Sequence, residues 1–246
     1  MIEKQVNVET KAGSMDTFIC HPERRGPWPG IIFYMDAPGI REELRDMARR
    51  LATVGYYVLL PNLYYRAGNG TMLDASALRE GSPERERMWS LMKSIGNDLV
   101  ADDTSSLLAF IDRQSEVCKG ALGCVGYCMS GPFVVTAAGR FPERFAAAAS
   151  IYGAGLLTDR PDSPHLLVSR IKGEVYFACA EIDKYAPLPL VAQLKGDLER
   201  AGTKFEVEIF PGTEHGFAFP QRYCYHKKAA ETHWERLFDL FARRLR

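Results

Sequence analysis

The sequence carries no net charge, its 31 lysines and arginines being matched by 31 aspartates and glutamates. A chain without a basic field has no electrostatic footprint for nucleic acid or an anionic membrane surface, so the expected partner is a small molecule. Metal-ligand spacing is missing as well. The six cysteines (Cys20, Cys118, Cys124, Cys128, Cys179 and Cys224) form no Cys-x-x-Cys pair and no cysteine–histidine cluster. That argues against a zinc site and for reduced thiols in a cytosol. The first residues, MIEKQVNVETK, lack the apolar core of a signal peptide, so export is not indicated and a cytoplasmic location is expected. No internal repeat, low-complexity tract or linker interrupts the chain. A length of 246 residues with 46% hydrophobic content fits one large α/β domain spanning residues 1–246.

What the sequence does contain is centred on Ala121–Gly139, ALGCVGYCMSGPFVVTAAG, which holds no charged residue. Its glycines, proline, serine and threonine count against a membrane span and for a strand, a turn and a helix. Ala121, Leu122, Cys124 and Val125 read as a short buried strand, and Phe133 to Ala138 as a buried helix. Between them, Gly126-x-Cys128-x-Ser130-Gly131 is a Gly-x-Ser-x-Gly nucleophile turn with cysteine as nucleophile and serine at the second glycine. The following helix N-terminus favours a thiolate, and its N–H groups can bind the oxyanion formed when that thiolate attacks a carbonyl. Pro132 fits the first turn of a helix, where no donor is lost. An inert buried cysteine is the alternative reading.

The rest of the chain repeats strand, helix and strand. Gln5 to Thr10 and Ser14 to Cys20 read as an antiparallel hairpin. Pro29 to Met35 is a continuous apolar run of buried-strand length that delivers Asp36 to its carboxyl end, where α/β proteins bind ligands. Capping of the turn or helix is the other reading of Asp36. Arg41 to Val54 has helical spacing, and Tyr56 to Leu60 is the next strand. Residues 64–99 break the rhythm as an excursion that could cover a site, with the charged segment Glu80 to Arg87 equally readable as a solvated face. Asp102 to Gln114 reads as a helix, Phe145 to Tyr152 and Glu174 to Ala180 as strands, Leu188 to Ala201 as a helix, Thr203 to Phe210 as the last strand, and His233 to Leu245 as the closing helix. The pattern argues for a parallel sheet with helices on both faces.

Cys128, Asp183 and His215 then fall at the carboxyl ends of successive strands, in the chain order nucleophile, acid, histidine of the α/β-hydrolase triad. His215 would take the thiol proton or hold the thiolate as an ion pair and then protonate the leaving group, while Asp183 fixes its tautomer and stabilises the imidazolium. Glu181 competes with Asp183 for that place, the shorter carboxylate further into the loop being favoured. Ser130 stands past the turn apex, where backbone compactness or a local hydrogen bond is its expected role. His226 and His233 read as solvent or packing residues, and His21 and His165 have no supporting context.

Across nearly its whole length the chain resembles the dienelactone hydrolase family of α/β hydrolases. The matching segments are PGIIFYMDAPGI, RDMARRLATVGYYVLLPNLYYR, the cysteine turn GYCMSG, EVYFACAEID and PGTEHGF. The resemblance implies a three-layer α/β-hydrolase fold with a mostly parallel sheet of about eight strands opening on an antiparallel hairpin. It implies a cysteine-dependent hydrolase of small lactones or esters that needs no cofactor, acting as a monomer or homodimer without nucleic-acid or membrane partners. By resemblance, Cys128, Asp183 and His215 are the triad, Met129 and Ala37 supply the oxyanion N–H groups, and Asp36 lies near the thiol, one methylene shorter than the usual glutamate. Arg85 and Trp89 align with residues that contact a substrate carboxylate. Phe219 stands where a second arginine is usual, which directs the substrate towards uncharged esters, with Arg222 as a potential stand-in. Two other classes compete: a non-catalytic ligand-binding or regulatory protein on the same fold, and a thiol redox protein using Cys124 with Cys128, whose spacing suits a disulfide poorly.

Overall fold

A computed structural model describes residues 1–246 and divides the chain into two compact units, Met1–Gly120 and Ala121–Arg246. The division falls at Gly120, where no change of composition marks it.

The first unit opens with β1 (Ile2–Thr10) and β2 (Gly13–His21), paired antiparallel from Ile2 opposite His21 to Thr10 opposite Gly13. The expected hairpin is therefore present, and its tight reversal uses Gly13 at φ +130. Next come β3 (Gly30–Tyr34), α1 (Glu42–Thr53) and β4 (Tyr57–Pro61). Every residue of β3 and β4 is buried, as expected of strands covered on both faces, and the two pair in parallel. β2 pairs antiparallel with β4 on its other side. The crossover helix α1 buries Leu44, Met47, Ala48 and Leu51, the stripe its spacing predicts.

Residues 64–99 hold more regular structure than a loop. Two 3-10 turns (Tyr65–Ala67 and Ala75–Leu78) precede α2 (Pro83–Lys93). Ser82 caps α2 by accepting the Arg85 N–H at 3.1 Å, Pro83 opens it, and Glu84 and Glu86 lie in the first turn. The segment is anchored by Asp103, almost fully buried, which takes both arms of Arg66 (2.7 and 2.8 Å) and the Tyr65 hydroxyl (2.8 Å). Asp103 belongs to α3 (Asn97–Ile111), which starts five residues before the expected Asp102 and stops short of Gln114. Val100 and Ala101 are buried in its early turns, so tertiary packing extends the helix backwards from the apolar stripe that the sequence displays.

In the second unit β5 (Leu122–Tyr127), β6 (Phe145–Ile151), β7 (Glu174–Ile182) and β8 (Lys204–Glu214) follow one another in space as in sequence. All three pairings are parallel, so the four carboxyl ends share one edge. The connecting helices are α4 (Gly131–Arg140), buried along nearly its whole length, and α5 (Leu188–Ala201), which ends at Gly202 in a left-handed conformation. The last helix, α6 (Lys227–Leu245), begins six residues before His233 because His226 caps it, its Nδ1 accepting the Ala229 N–H at 3.2 Å. β8 runs past Phe210 to Glu214, through Pro211 and Gly212, whose register against β7 shifts near the end. No helix of the chain is long and apolar enough to cross a membrane.

Glu174, at the start of β7 and 6% exposed, joins β8 and α6 electrostatically: it accepts from Arg243 and Arg244 and pairs with Lys204 at 3.0 Å. The Arg243 hydrogen bonds lead in holding its carboxyl down at about 2, from an ordinary 4.5. A carboxyl lowered by folding contributes stability that is present above pH 4.5 and lost as pH falls towards 2. Glu174→Gln is expected to unfold about 1–2 kcal/mol more easily at pH 7, its partners being partly exposed and screened. The deficit should vanish with acidification, and urea titrations at pH 7 and pH 3 that gave the same deficit would contradict the assignment.

Candidate active site

Cys128 stands at the junction of β5 and α4, in a one-turn 3-10 helix (Cys128–Ser130) that leads directly into α4. Its φ is +54, a left-handed conformation that costs a non-glycine residue about 1–3 kcal/mol and needs surrounding structure to hold it. Two glycines make that turn possible. A Cβ on Gly126 would lie 2.5 Å from the Ser130 carbonyl oxygen, and a Cβ on Gly131 would collide with the Gly153 backbone and come within 2.5 Å of Ser150 Oγ. The chain thus doubles back on itself at one glycine and presses against the loop after β6 at the other. That loop returns a hydrogen bond, Ala154 N–H to the Cys128 carbonyl at 3.0 Å. Ser130, fully buried, occupies the second glycine position of the turn, and the close backbone approach falls one residue on, at Gly131.

Asp183 and His215 leave the neighbouring parallel strands β7 and β8 at the same edge. Asp183 Oδ2 accepts from His215 Nδ1 at 2.7 Å, while Oδ1 accepts the N–H groups of Tyr185 (2.8 Å) and Ala186 (3.2 Å). The carboxylate is therefore fixed by its own loop before it meets the imidazole. Glu181 is turned elsewhere and accepts the Gly212 N–H at 2.8 Å. With Nδ1 donating to Asp183, His215 Nε2 is the nitrogen left to face a reactant; it is buried and forms no complete hydrogen bond. The Cys128 sulfur is near enough to act on the ring electrically. Burial opposes a charged imidazole, but the Asp183 hydrogen bond and then Cys128 outweigh it and push the pKa up to about 9 from an ordinary 6.5.

Aromatic rings hold the imidazole in place. Tyr152 and Tyr185 meet it edge-on at 5.1 and 4.9 Å. Behind Tyr152 lie Phe217, Phe219 and Tyr127, and the Tyr127 hydroxyl donates to Nε2 of the fully buried His233 at 3.0 Å. Phe219, expected to touch substrate, is fully buried against Tyr127 and Tyr152, so it packs behind the site and offers no surface to a ligand. Arg222 lies over the Phe219 ring at 5.1 Å. Sequence reasoning missed Tyr152 and Tyr185, of which only Tyr185, two residues past the acid, had a positional signal, whereas His233 is the packing residue it was read as.

The remaining candidates lie in the first unit. Asp36 is fully buried and forms a two-armed ion pair with Arg41 (2.6 and 3.1 Å), which also binds Glu43. Its backbone carbonyl accepts the Gly39 N–H at 2.9 Å, so the turn role and the charged role coexist. That bond orients the Asp36–Ala37 peptide, and Tyr64 Oη holds the Ala37 carbonyl at 2.7 Å. Arg85 reaches the Leu78 carbonyl at 3.4 Å, and Trp89 on the same helix is half-buried. All six thiols are free. Burial pushes Cys20 and Cys179 up to about 12 and Cys124 further still, so these three resist ionisation. No group of three or more His, Cys, Asp or Glu side chains is placed to hold a metal ion.

A strand, a strained cysteine turn and a helix, with an aspartate–histidine pair at the ends of β7 and β8, define an α/β hydrolase. Known proteins agree. A solved structure named, provisionally, as a dienelactone hydrolase of Klebsiella pneumoniae subsp. pneumoniae MGH 78578 is similar at a TM-score of 0.84 with 22% identity, covering 98% of each chain. The sequence pattern of the dienelactone hydrolase family matches residues 15–245, and the chain belongs to that family. Relatives that carry carboxymethylenebutenolidase as a provisional name occur in Methylorubrum extorquens (25% identical, covering 98% of this chain and 81% of the relative) and in Synechocystis sp. (26%, covering 93% and 92%).

A histidine whose pKa folding raises contributes stability fully present below pH 6.5 and lost as pH rises through about 9. Asp183→Asn is therefore expected to be about 1–3 kcal/mol less stable than wild type at pH 6.5, with the gap closing as pH passes 9. Urea unfolding across that range measures it; a pH-independent gap would mean that the imidazole carries no charge there.

Proposed function

We propose that the chain hydrolyses small carboxylic esters or lactones through an acyl-thioester on Cys128, with His215 as proton carrier and Asp183 as its orienting group. The observation that carries this reading is the strained Cys128 turn (φ +54) beside an imidazole whose far nitrogen is bonded to a buried carboxylate. Membership in the dienelactone hydrolase family supports the substrate class.

The steps follow from the positions. The thiol's proton rests on His215, which Asp183 favours in its charged form, and the sulfur attacks the ester carbonyl carbon. The oxyanion forms next to the N-terminal turn of α4, where the Met129 N–H is our assigned donor; one such donor typically contributes about 3 kcal/mol of barrier lowering. The carbon–oxygen bond to the leaving group breaks, and the departing alkoxide takes the proton from His215 Nε2. The neutral imidazole then removes a proton from water, hydroxide attacks the thioester, and the sulfur leaves. Asp183, locked by two backbone N–H groups, keeps Nδ1 protonated throughout. Asp36, Ala37, Arg85 and Trp89 enter this reading through the family resemblance alone. The unpaired thiols suit a reducing cytoplasm, where we place its work.

Hydrolysis of p-nitrophenyl acetate and of a dienelactone by wild type, Cys128→Ala and His215→Gln provides the test. Both variants should lose at least about a thousandfold in kcat, as removal of a triad member does. Wild-type rates in Cys128→Ala would refute the nucleophile. Ester turnover without lactone turnover would keep the mechanism and move the substrate search to uncharged esters.

A further inference from the structure

The first unit holds a cleft of about 430 Å³ that the hydrolase reading does not use. Small-molecule sites range over about 300–1,000 Å³, so it has room for a ligand. Its polar lining crosses three strands in one row. Asn7 on β1 is paired with Asp16 on β2, and Asn62, just past β4, gives its backbone N–H to the Asp16 carbonyl at 2.9 Å. Gln5 extends the row along β1, while Arg45 near the start of α1 and Asn69 in the segment 64–99 complete it. Ile40 and the half-exposed Met72 add apolar surface.

Much of this hydrogen-bonding capacity is unfilled. Asp16 accepts from Asn62 Nδ2 at 3.2 Å through Oδ2, whereas its Oδ1 is buried and has no partner. A carboxylate with about four acceptor sites is thus filled at one, and the broad χ2 torsion of aspartate lets it turn an empty site outward. Asn62 is fully engaged, because its amide also donates to the Thr71 carbonyl at 2.9 Å and accepts the Tyr64 N–H at 3.1 Å. It therefore fixes the carboxylate and leaves binding to the others. Asn7 and Asn69 touch each other at 3.4 Å, Arg45 gives an N–H to Glu42 at 3.3 Å, and the Gln5 amide stands exposed. These are long contacts that a ligand can replace.

From these groups we infer that the cleft binds an uncharged molecule carrying several hydroxyl groups, of the sugar or polyol class, with its C–H surface against Ile40 and Met72. One carboxylate and one guanidinium leave the lining without net charge, so a ligand anion would face Asp16 and a ligand cation would face Arg45. An apolar ligand would strip water from Asp16 and the amides and return no hydrogen bond. A hydroxyl both gives and accepts, as a side-chain amide does, so Gln5, Asn7 and Asn69 can each fill both roles with neighbouring hydroxyls while Asp16 accepts from another. A zwitterion brings one group that only donates and one that only accepts, which leaves half of every amide unmet. The cleft shares no residue with Cys128, Asp183 and His215, so the inference goes beyond the hydrolase reading and does not depend on it.

The test titrates glucose and maltose into isotope-labelled protein and follows the side-chain amide NMR signals. Gln5, Asn7 and Asn69 should move saturably, with dissociation constants in the millimolar range, while the exposed Gln193 amide on α5 should stay still. Asp16→Asn keeps an acceptor for Asn62 but removes the charge, and should weaken binding about tenfold. Gln5→Ala, at an exposed position whose truncation leaves the core intact, should weaken it about threefold, the effect of one neutral hydrogen bond. Cys128→Ala should bind the sugars as wild type does, whether or not the wild type hydrolyses esters. Glycine, as a zwitterionic probe, and succinate, as an anionic one, should leave the three signals in place. Absence of a saturable shift with either sugar at about 0.1 M would overturn the assignment, since even a millimolar site is filled there. So would sugar affinities that Asp16→Asn and Gln5→Ala both leave unchanged. Saturable shifts with glycine or succinate but not with the sugars would overturn the ligand class.

Discussion

The site depends on one steric constraint, the contact of the Gly131 and Gly153 backbones. It lets α4 begin directly beyond Cys128, because any side chain at either position would force the helix away from the β6 loop. With the helix held there, the cysteine has no room to relax from its left-handed conformation, and the Ala154 bond to its carbonyl closes the turn. Strain of this kind survives only where neighbouring structure over-determines it. Here the neighbours are a helix buried along nearly its whole length and four parallel strands, which is why Cys128 can stand at a fixed place with little support of its own.

The electrostatics are arranged around that fixed point by contrast. The three deeply buried thiols are driven away from ionisation, whereas the imidazole nearest Cys128 is driven towards its charged form. The carboxylate responsible is satisfied by its own loop first, so it does not need the histidine to be stable and can hold it in one tautomer. The aromatic rings add the third condition, since an imidazole wedged between Tyr152 and Tyr185 has few other orientations.

Much of this was legible in the sequence because it depends on local pattern. The uncharged run Ala121–Gly139 announced a buried strand, turn and helix, and the order Cys128, Asp183, His215 is meaningful only if three strands share an edge, which they do. The helix boundaries were less legible. α3 and α6 begin earlier than their apolar stripes suggest, since Val100 and Ala101 are packed into the interior at the start of α3 and α6 is begun by a histidine cap rather than a serine or aspartate. Phe219 misled for a different reason: position relative to the histidine aligned it with a substrate-facing residue, but a side chain without a charge at that place folds into the aromatic cluster. Long-range packing of this sort has no period and leaves no trace in a single sequence.

The order of Cys128, Asp183 and His215 along the chain also governs how the protein comes into being. Cys128 leaves the ribosome first, Asp183 follows, and His215 arrives only with the loop that closes the last strand. Since chains fold as they emerge from the N-terminal end, Cys128 is made well before His215, which meets Asp183 only when β8 has docked on β7. Nascent and half-finished chains therefore lack the aspartate–histidine hydrogen bond, which exists only in a protein whose final parallel strand is already in register.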